Sequence, residues 1–530
     1  MRVEKFLSEH RLFENPFEAE EARHDAVFER LIDAGMNHPD LSKIIGQIDH
    51  PTTSIVFGDK GSGKTAIRLL IEQCINAHNA KFPDRRTLLV AYDDLNPVLD
   101  RVVARQGRRP SGKALSFANL NLDVVRLEDH QDAVLSVAIT SLLDRLFADR
   151  RSPAYDRASW KRGALEPAGP RLKSIPRSIR IDFAVLAALY DQPRTGSALR
   201  RWQRLCSRLR LRLFSAVSLI KVLVLALTVL TTGLGLTTIF GGIEGPNRLL
   251  LHAGLGICGA GALFLGGFWF VMRVRAWRLA RHIHREILAI DRSTADLKVM
   301  LRRMRWRDLE GQPWPVAGPA DRNRRFELTD RFMNLLEALG YRGMMILLDR
   351  VDEPALISGD PDRMRHVIWP LLDNKLLQQP RVGWKLLLPI ELRHSLLRES
   401  SRFFQEARLD KQHLIDRLTW SGSTLYDLCN ARLEACRNPQ PESEGDTGRK
   451  PASLMSLFAE DVSRDLIIDA LDAMQQPRDA FKFLYALIQE HCRLVPDDEA
   501  CYRISRLTID GVRRQQTQRV QDFQRGLGPG

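Results

Sequence analysis

The sequence has few cysteines, and they form no recognisable pattern. Seven are present among 530 residues, an odd number, and no two of them have the C-x-x-C spacing. This scatter argues against a disulfide framework and against a zinc site built from paired cysteines. A reducing compartment therefore suits the part of the chain that lies in water. The first twenty residues carry charges throughout, so we expect no cleavable signal peptide.

Charge is missing from two long stretches in the middle of the chain. Residues 222–243 contain no Asp, Glu, Lys or Arg, and residues 249–272 contain none either, with His252 as the one side chain that could carry a positive charge. Each stretch exceeds the about 20 residues that an α-helix needs to cross a bilayer core. Glycines in both stretches allow close helix–helix packing. We predict a transmembrane helical hairpin over residues 213–272; the alternative is a hairpin buried in a large soluble core.

Basic residues are concentrated beside these stretches. Residues 200–285 hold thirteen Lys or Arg against the single acid Glu244, which gives +12 of the whole chain's +14 and leaves +2 elsewhere. By the positive-inside rule both flanks face the cytoplasm, and they suit the anionic headgroups of a lipid bilayer. We therefore expect an inner-membrane protein with two spans and with both termini in the cytoplasm. The charge does not favour nucleic-acid binding, which calls for a basic face on the soluble domains.

A glycine-rich loop follows an apolar run at residues 54–57. Residues 58–65 read Gly-Asp-Lys-Gly-Ser-Gly-Lys-Thr, which is the full G-x-x-x-x-G-K-[ST] pattern, and a helical pattern comes after it. Glycines let successive backbone N–H groups point at phosphate oxygens. The lysine reaches the β- and γ-phosphates, the threonine ligates Mg²⁺, and the helix N-terminus adds positive potential. We predict that ATP and Mg²⁺ bind here, through Gly58, Asp59, Lys60, Gly61, Ser62, Gly63, Lys64, Thr65 and Ala66.

A second motif supplies acidic residues. The apolar run at residues 344–348 ends in Asp349, and Asp352 and Glu353 follow. A carboxylate at the C-terminal end of a buried strand lies at the edge where α/β sheets bind ligands. We expect Asp349 to hold the Mg²⁺ shell, and Asp352 or Glu353 to orient or deprotonate the attacking water. The sequence does not separate these two, and Glu353 is the preferred base. The alternative is a strand end followed by a solvated acidic turn.

Other charged residues could complete such a site. A further core strand is predicted before Glu391 and Arg393, either of which could sense the γ-phosphate. Arg408 or Arg417 could supply a transition-state arginine, although each is also typical of a surface charge. Arg478 opens a predicted C-terminal helix, and closure of a lid could bring it to the nucleotide.

The remaining pattern predicts an α/β fold with a parallel core sheet. The 285 positions between Lys64 and Asp349 require a large insertion, which contains the hairpin. A helix over residues 273–305 is expected to lead the chain back from the membrane. The predicted strands are 54–57, 87–92, 344–348 and 385–390. The predicted domains are 1–147 (first part of the nucleotide-binding domain), 148–212 (connector and basic segment), 213–272 (hairpin), 273–322 (juxtamembrane helix and connector), 323–437 (second part of the nucleotide-binding domain) and 438–530 (helical lid and tail).

Together these features resemble the KAP family of P-loop ATPases, within the wider AAA+/STAND group. The resemblance rests on residues 57–65, the inserted hairpin at 222–272, residues 347–353 and a helical C-terminal lid with Arg478. It implies a P-loop NTPase fold, Mg²⁺-dependent ATP hydrolysis and, since relatives include phage-exclusion proteins, a role in antiviral defence.

We therefore expect a membrane-anchored ATPase switch, working as a homo-oligomer or with a protein partner, in which nucleotide binding closes the lid and hydrolysis resets it. The two spans are read as an anchor in preference to a pore formed by oligomers. One alternative is a membrane scaffold with a structural nucleotide and negligible hydrolysis. Another is a nucleic-acid sensor at the membrane.

Overall fold

The protein divides into two compact units. Unit 1 comprises residues 1–83, 91–93 and 344–530, and unit 2 comprises residues 84–90 and 94–343. The sequence also predicts a polar loop at 439–450, a frayed tail at 525–530 and an irregular connector at 149–178. The loop, the tail and most of the connector lie outside the described residues. A computed structural model describes residues 1–19, 22, 25–33, 38–106, 122, 125–147, 172, 174–194, 196–211, 213, 216–240, 246–315, 320–437, 453–496 and 501–524.

Five strands form one sheet. They are β1 (Ser54–Gly58), β2 (Arg86–Tyr92), β3 (Tyr341–Leu348), β4 (Val382–Pro389) and β5 (His413–Ile415). The order across the sheet is β2-β3-β4-β1-β5, and the pairs β3–β4, β4–β1 and β1–β5 run parallel. Every residue of β1 and β4 is buried, which explains why both strands are mostly apolar, with Ser54 and Lys385 as buried polar exceptions. The predicted α/β class with a parallel sheet is confirmed.

Helices make up most of the described structure. The spacing of apolar residues predicts helices over 129–147 and 330–339, and these correspond to α6 and α13 below. In chain order the α-helices are α1 (Val3–Glu9), α2 (Ala26–Asp33), α3 (Leu41–Ile45), α4 (Lys64–Lys81), α5 (Asn96–Gln106), α6 (Leu127–Leu146), α7 (Arg177–Tyr190), α8 (Ala198–Arg208), α9 (Ala216–Phe240), α10 (Pro246–Glu286), α11 (Thr294–Arg303), α12 (Trp306–Leu309), α13 (Ala320–Ala338), α14 (Pro361–Ile368), α15 (Asn374–Leu377), α16 (Ile390–Leu397), α17 (Ser401–Ala407), α18 (Gly422–Ala435), α19 (Arg464–Asp472), α20 (Pro477–Leu494) and α21 (Arg506–Gln524).

The first two helices of unit 1 share a core with its last four helices. Phe6 of α1 and Leu31 of α2 belong to the same buried cluster as residues of α18, α19, α20 and α21. A buried ion pair, Arg432 Nη1 to Asp25 Oδ2 at 2.6 Å, joins α18 to the segment before α2. We call these six helices the helical layer. The predicted boundaries grouped the N-terminal residues with the nucleotide-binding domain, whereas the structure packs them with the predicted lid.

Two long helices of unit 2, α9 and α10, form an antiparallel hairpin. A Cβ built at Gly235 would lie 3.7 Å from Leu255, and one built at Gly259 would lie 3.7 Å from Thr231, so small residues allow the close approach. Large apolar side chains of α10 are exposed, among them Leu263 at 80% and Phe264 at 74%. Among the described residues, length and composition single out one candidate membrane span, His252–Glu286, and Val222–Thr237 is a shorter apolar helix.

The single helix predicted over residues 273–305 is wrong. The second helix of the hairpin continues without a break to Glu286, and a separate helix, α11, begins at Thr294. In the turn between them Arg292 is buried and donates to the backbone carbonyls of Asp191 and Ala187. The apolar spacing continues through the turn, where Ile290 is also buried, and this continuity hid the break.

Candidate nucleotide-binding site

The glycine loop (residues 58–65) connects β1 to α4. Gly61 and Gly63 have φ angles of +96° and +93°, a left-handed region that residues with a Cβ rarely adopt. Gly63 immediately precedes the first residue of α4. The loop therefore directs the free N–H groups of a helix N-terminus toward the carboxyl edge of the sheet, an arrangement that binds anions.

Lys64 folds back over its own loop. Its Nζ donates to the carbonyl oxygens of Gly58 at 2.7 Å and Asp59 at 2.8 Å. Burial lowers the pKa of Lys64, and nearby carboxylates, Asp349 and Asp352 first among them, raise it. The ammonium thus lies between the loop backbone and the acidic residues that follow β3.

Thr65 and Asp349 meet at the centre of the site. The Thr65 hydroxyl donates to Oδ2 of Asp349 at 3.1 Å, although the two residues are 284 positions apart in the chain. Asp349 directly follows β3 and is 1% exposed. Burial raises its pKa, while hydrogen bonds from the backbone N–H of Arg350 and from the Thr65 hydroxyl lower it. The structure therefore brings together the two residues that the sequence assigned to one metal ion.

These two residues fit a magnesium ion held jointly with a nucleotide. No group of three or more His, Cys, Asp or Glu side chains that could hold a metal occurs in the described ranges. Mg²⁺ does not require one, because it commonly keeps several waters and takes one or two protein oxygens besides phosphate oxygens. A hydroxyl and a carboxylate at hydrogen-bond distance beside an anion-binding loop supply that minimum.

The two candidate bases have different surroundings. The side chain of Glu353 is 54% exposed and pairs with Arg350, with Oε2 at 3.0 Å from Nη1. Asp352 is partly buried, and its carboxylate is one of the charges that act on Lys64. The preference for Glu353 stays untested, and Asp352 is the less exposed of the two.

Two of the other candidates reach the glycine loop. Arg417 Nε donates to Oδ2 of Asp59 at 2.9 Å. Arg478 lies against the loop from the start of α20, because a Cβ at Gly61 would lie 3.2 Å from the Arg478 Cβ and 2.9 Å from Oε1 of Gln476. The helical layer therefore contacts the loop directly.

The remaining candidates lie in less direct positions. Glu391 is exposed in the first turn of α16, and its charge raises the pKa of Lys64 less than those of the aspartates after β3 do. Arg393 pairs with Asp416 at 3.6 Å. Arg408 lines a surface groove with Lys43 and other residues around β5, and no residue of the glycine loop lines that groove.

Sequence reasoning missed an aromatic contact to the loop. Trp420 Nε1 donates to the carbonyl oxygen of Ser62 at 2.8 Å, and the ring of His38 meets the Trp420 ring edge-on at 4.6 Å. Trp420 and Ser62 are 358 positions apart, and no local pattern connects them. The bond holds the loop backbone from the side of the helical layer.

Comparison with family models, with curated proteins and with solved structures finds no match to this chain. The function is therefore argued from the geometry of the site.

Proposed function

We propose that this chain is a membrane-anchored P-loop ATPase that acts as a nucleotide-driven switch. The observation that carries the proposal is the contact between Thr65 and Asp349 at 3.1 Å, next to Lys64 in a left-handed glycine loop at the carboxyl edge of a parallel sheet. Chance does not readily bring a hydroxyl, a carboxylate and an ammonium from two distant segments to one helix N-terminus. The KAP resemblance adds a proposed role in phage defence.

Each residue of the site has a proposed task. The N–H groups of the glycine loop and the Lys64 ammonium bind the β- and γ-phosphates. A bound Mg²⁺ supplies positive charge to the phosphates, and Thr65 and Asp349 hold it. Asp352 accepts a proton from the attacking water, with Glu353 as the alternative. Arg478 adds positive charge from the helical layer.

The hairpin of α9 and α10 supports the proposed anchor. Soluble monomers rarely expose large contiguous apolar patches, yet α10 exposes Ile257, Leu263, Phe264, Phe268 and Phe270. Basic residues of α10, beginning with Arg273, directly follow this apolar part. We propose that the hairpin lies in the inner membrane and that the ATPase site faces the cytoplasm, where ATP is present.

An ATPase assay on the detergent-solubilised full chain tests the proposal. Lys64→Ala should abolish ATP binding and turnover. Asp352→Asn should bind ATP but lower turnover by about 100-fold or more, the usual contribution of a general base. Glu406→Gln, which removes an exposed carboxylate of an Arg402 pair, is the matched control and should leave turnover unchanged.

The outcomes separate the competing functions. Loss of turnover in Glu353→Gln but not in Asp352→Asn would make Glu353 the base. A wild-type rate no higher than that of Lys64→Ala would contradict the ATPase and favour the membrane scaffold with a structural nucleotide.

A further inference from the structure

A buried arginine on the helix of the candidate metal ligand Thr65 pairs with a partly buried aspartate. Arg68 follows Thr65 by three positions and Lys64 by four on α4, so the three side chains share one side of the helix. Arg68 is 7% exposed, and its Nη2 lies 3.0 Å from Oδ2 of Asp93. Asp93 directly follows the end of β2.

Arg68 also acts on the carboxylate of Asp349. Burial raises the pKa of Asp349, and the charges of Arg68 and Lys64 are among the causes that lower it. The guanidinium therefore has Asp93 in contact on one side and Asp349 within electrostatic reach. Its Nε is buried and has no hydrogen-bond partner among the described residues.

The charge balance of this group bears directly on metal binding. The guanidinium of Arg68 would repel a Mg²⁺ ion at Asp349 unless a nearby negative charge offset it. Asp93 is in contact with Arg68 and supplies that charge. Loss of Arg68 would in turn leave the negative charge of Asp93 without this cation. Interactions between charges are stronger where the surroundings exclude water, and Arg68 is buried while Asp93 is partly buried.

We propose that Arg68 and Asp93 are a positioning pair that sets the Mg²⁺ affinity of the nucleotide site. The charge of Arg68 opposes a cation at Asp349, and Asp93 offsets that charge. The inference rests on the proposed ATP site and adds to it the control of its metal requirement. The competing explanation is an ion pair that fixes the end of β2 to α4 and has no effect on the metal.

The test measures ADP affinity of the full chain in detergent by calorimetry over a series of free Mg²⁺ concentrations; ADP avoids turnover. Asp93→Asn leaves Arg68 unbalanced, so the Mg²⁺ concentration needed for half-maximal ADP affinity should rise about 10-fold, the scale known for partners of metal ligands. Arg68→Gln should shift it in the opposite direction. The double variant should return close to wild type.

Two further measurements separate the metal effect from folding. Without Mg²⁺, in EDTA, Asp93→Asn should bind ADP more tightly and Arg68→Gln more weakly, because the phosphates then meet the uncompensated charge directly. Arg68→Lys keeps the charge and should keep the wild-type Mg²⁺ requirement. The matched control is Asp182→Asn, which breaks the partly buried Arg331–Asp182 pair of unit 2. It should leave both the ADP affinity and its Mg²⁺ dependence unchanged.

The results distinguish this inference from the proposed function. The positioning role would be overturned, while the ATP site stands, by either of two results. In the first, Asp93→Asn and Arg68→Gln change the Mg²⁺ concentration for half-maximal ADP affinity in the same direction; in the second, the double variant fails to restore the wild-type value. If Arg68→Lys changed the Mg²⁺ requirement as much as Arg68→Gln does, the role of Arg68 would be side-chain packing and not its charge. A wild-type chain with no Mg²⁺-dependent ADP binding would overturn both.

Discussion

Each unit contains a buried carboxylate with a cation beside it, and the two clusters differ in what surrounds them. In unit 2, Asp132 is fully buried between helices. It accepts the Tyr190 hydroxyl at 2.8 Å and two bonds from Arg325 at 3.1 and 2.9 Å. In unit 1, Asp349 lies at a strand end, where it accepts hydrogen bonds from the Thr65 hydroxyl and from the backbone N–H of Arg350. Burial of a charge therefore does not by itself mark a candidate site. The Asp349 cluster differs in lying at a sheet edge beside a helix N-terminus, which is why the proposed nucleotide site is placed there.

The cluster of unit 2 has a structural consequence. Arg325 also donates to the backbone carbonyl of Glu286 at 3.2 Å, the last residue of α10. The same guanidinium thus joins α6, α13 and the end of the long helix of the proposed membrane hairpin. Because both oxygens of the Asp132 carboxylate accept hydrogen bonds from Tyr190 or Arg325, we interpret this cluster as a structural contact that fixes the end of α10 to α6 and α13.

The largest expected effect comes from removing the buried Arg325–Asp132 ion pair. Arg325→Met leaves Asp132 buried without its cation, so we expect a loss of about 3–5 kcal/mol in the free energy of unfolding, measured by denaturant titration. Arg331→Met, at the partly buried pair with Asp182, should cost about 1 kcal/mol or less. Equal losses in the two variants would show that burial of the Arg325 pair has no special weight.

A second experiment tests the buried Lys385, which has no carboxylate in contact within the described part of the chain. Lys385 of β4 is fully buried and donates to the carbonyl oxygen of Thr52 at 2.7 Å. Burial lowers its pKa to about 7, below the unfolded value of about 10.4. Between these values the unfolded chain binds more protons, so the stability contribution of this site rises as the pH rises.

Lys385→Met removes that dependence. The free energy of unfolding of the variant, minus that of wild type, should be about 3 kcal/mol higher at pH 7 than at pH 10. This difference follows from the size of the shift in the pKa of Lys385. Unfolding curves of both proteins at pH 6, 7, 8.5 and 10 measure this. A difference between the two proteins that does not change with pH would show that Lys385 remains charged when buried.

The smallest expected effect concerns the contact between Trp420 and the glycine loop of unit 1. Trp420→Phe removes the bond to Ser62 and keeps an aromatic ring near His38. We expect ATP affinity to fall about 5-fold, the effect of one hydrogen bond of about 1 kcal/mol, with little change in stability. Trp369→Phe, which loses a bond to Glu399 at 2.8 Å, is the control. Unchanged ATP affinity in Trp420→Phe would mean that the bond does not hold the loop.

The sequence predicted those parts of the molecule that local patterns encode. The glycine loop and β1 to β4 follow from contiguous residues, because buried parallel strands are continuously apolar. The three-residue edge strand β5 is too short for that signal. The break before α11 escaped notice because helical spacing of apolar residues continued through the turn.

The candidate site was predictable to the same extent. Lys64, Thr65 and Asp349 belong to motifs, and Arg478 follows a proline at a helix start. Trp420 and Arg68 act through partners distant in the chain, Ser62 and Asp93 respectively. Only the folded arrangement of strands and helices brings such residues together.

Direct calorimetric titration of the detergent-solubilised full chain with ATP and Mg²⁺ tests the central claim, with Lys64→Ala as the comparison. The account predicts saturable binding of one ATP per chain in the wild type and binding that is absent or about 100-fold weaker in the variant, since the lysine contacts the phosphates. Absence of binding in the wild type, or equal affinity in the two proteins, would contradict it.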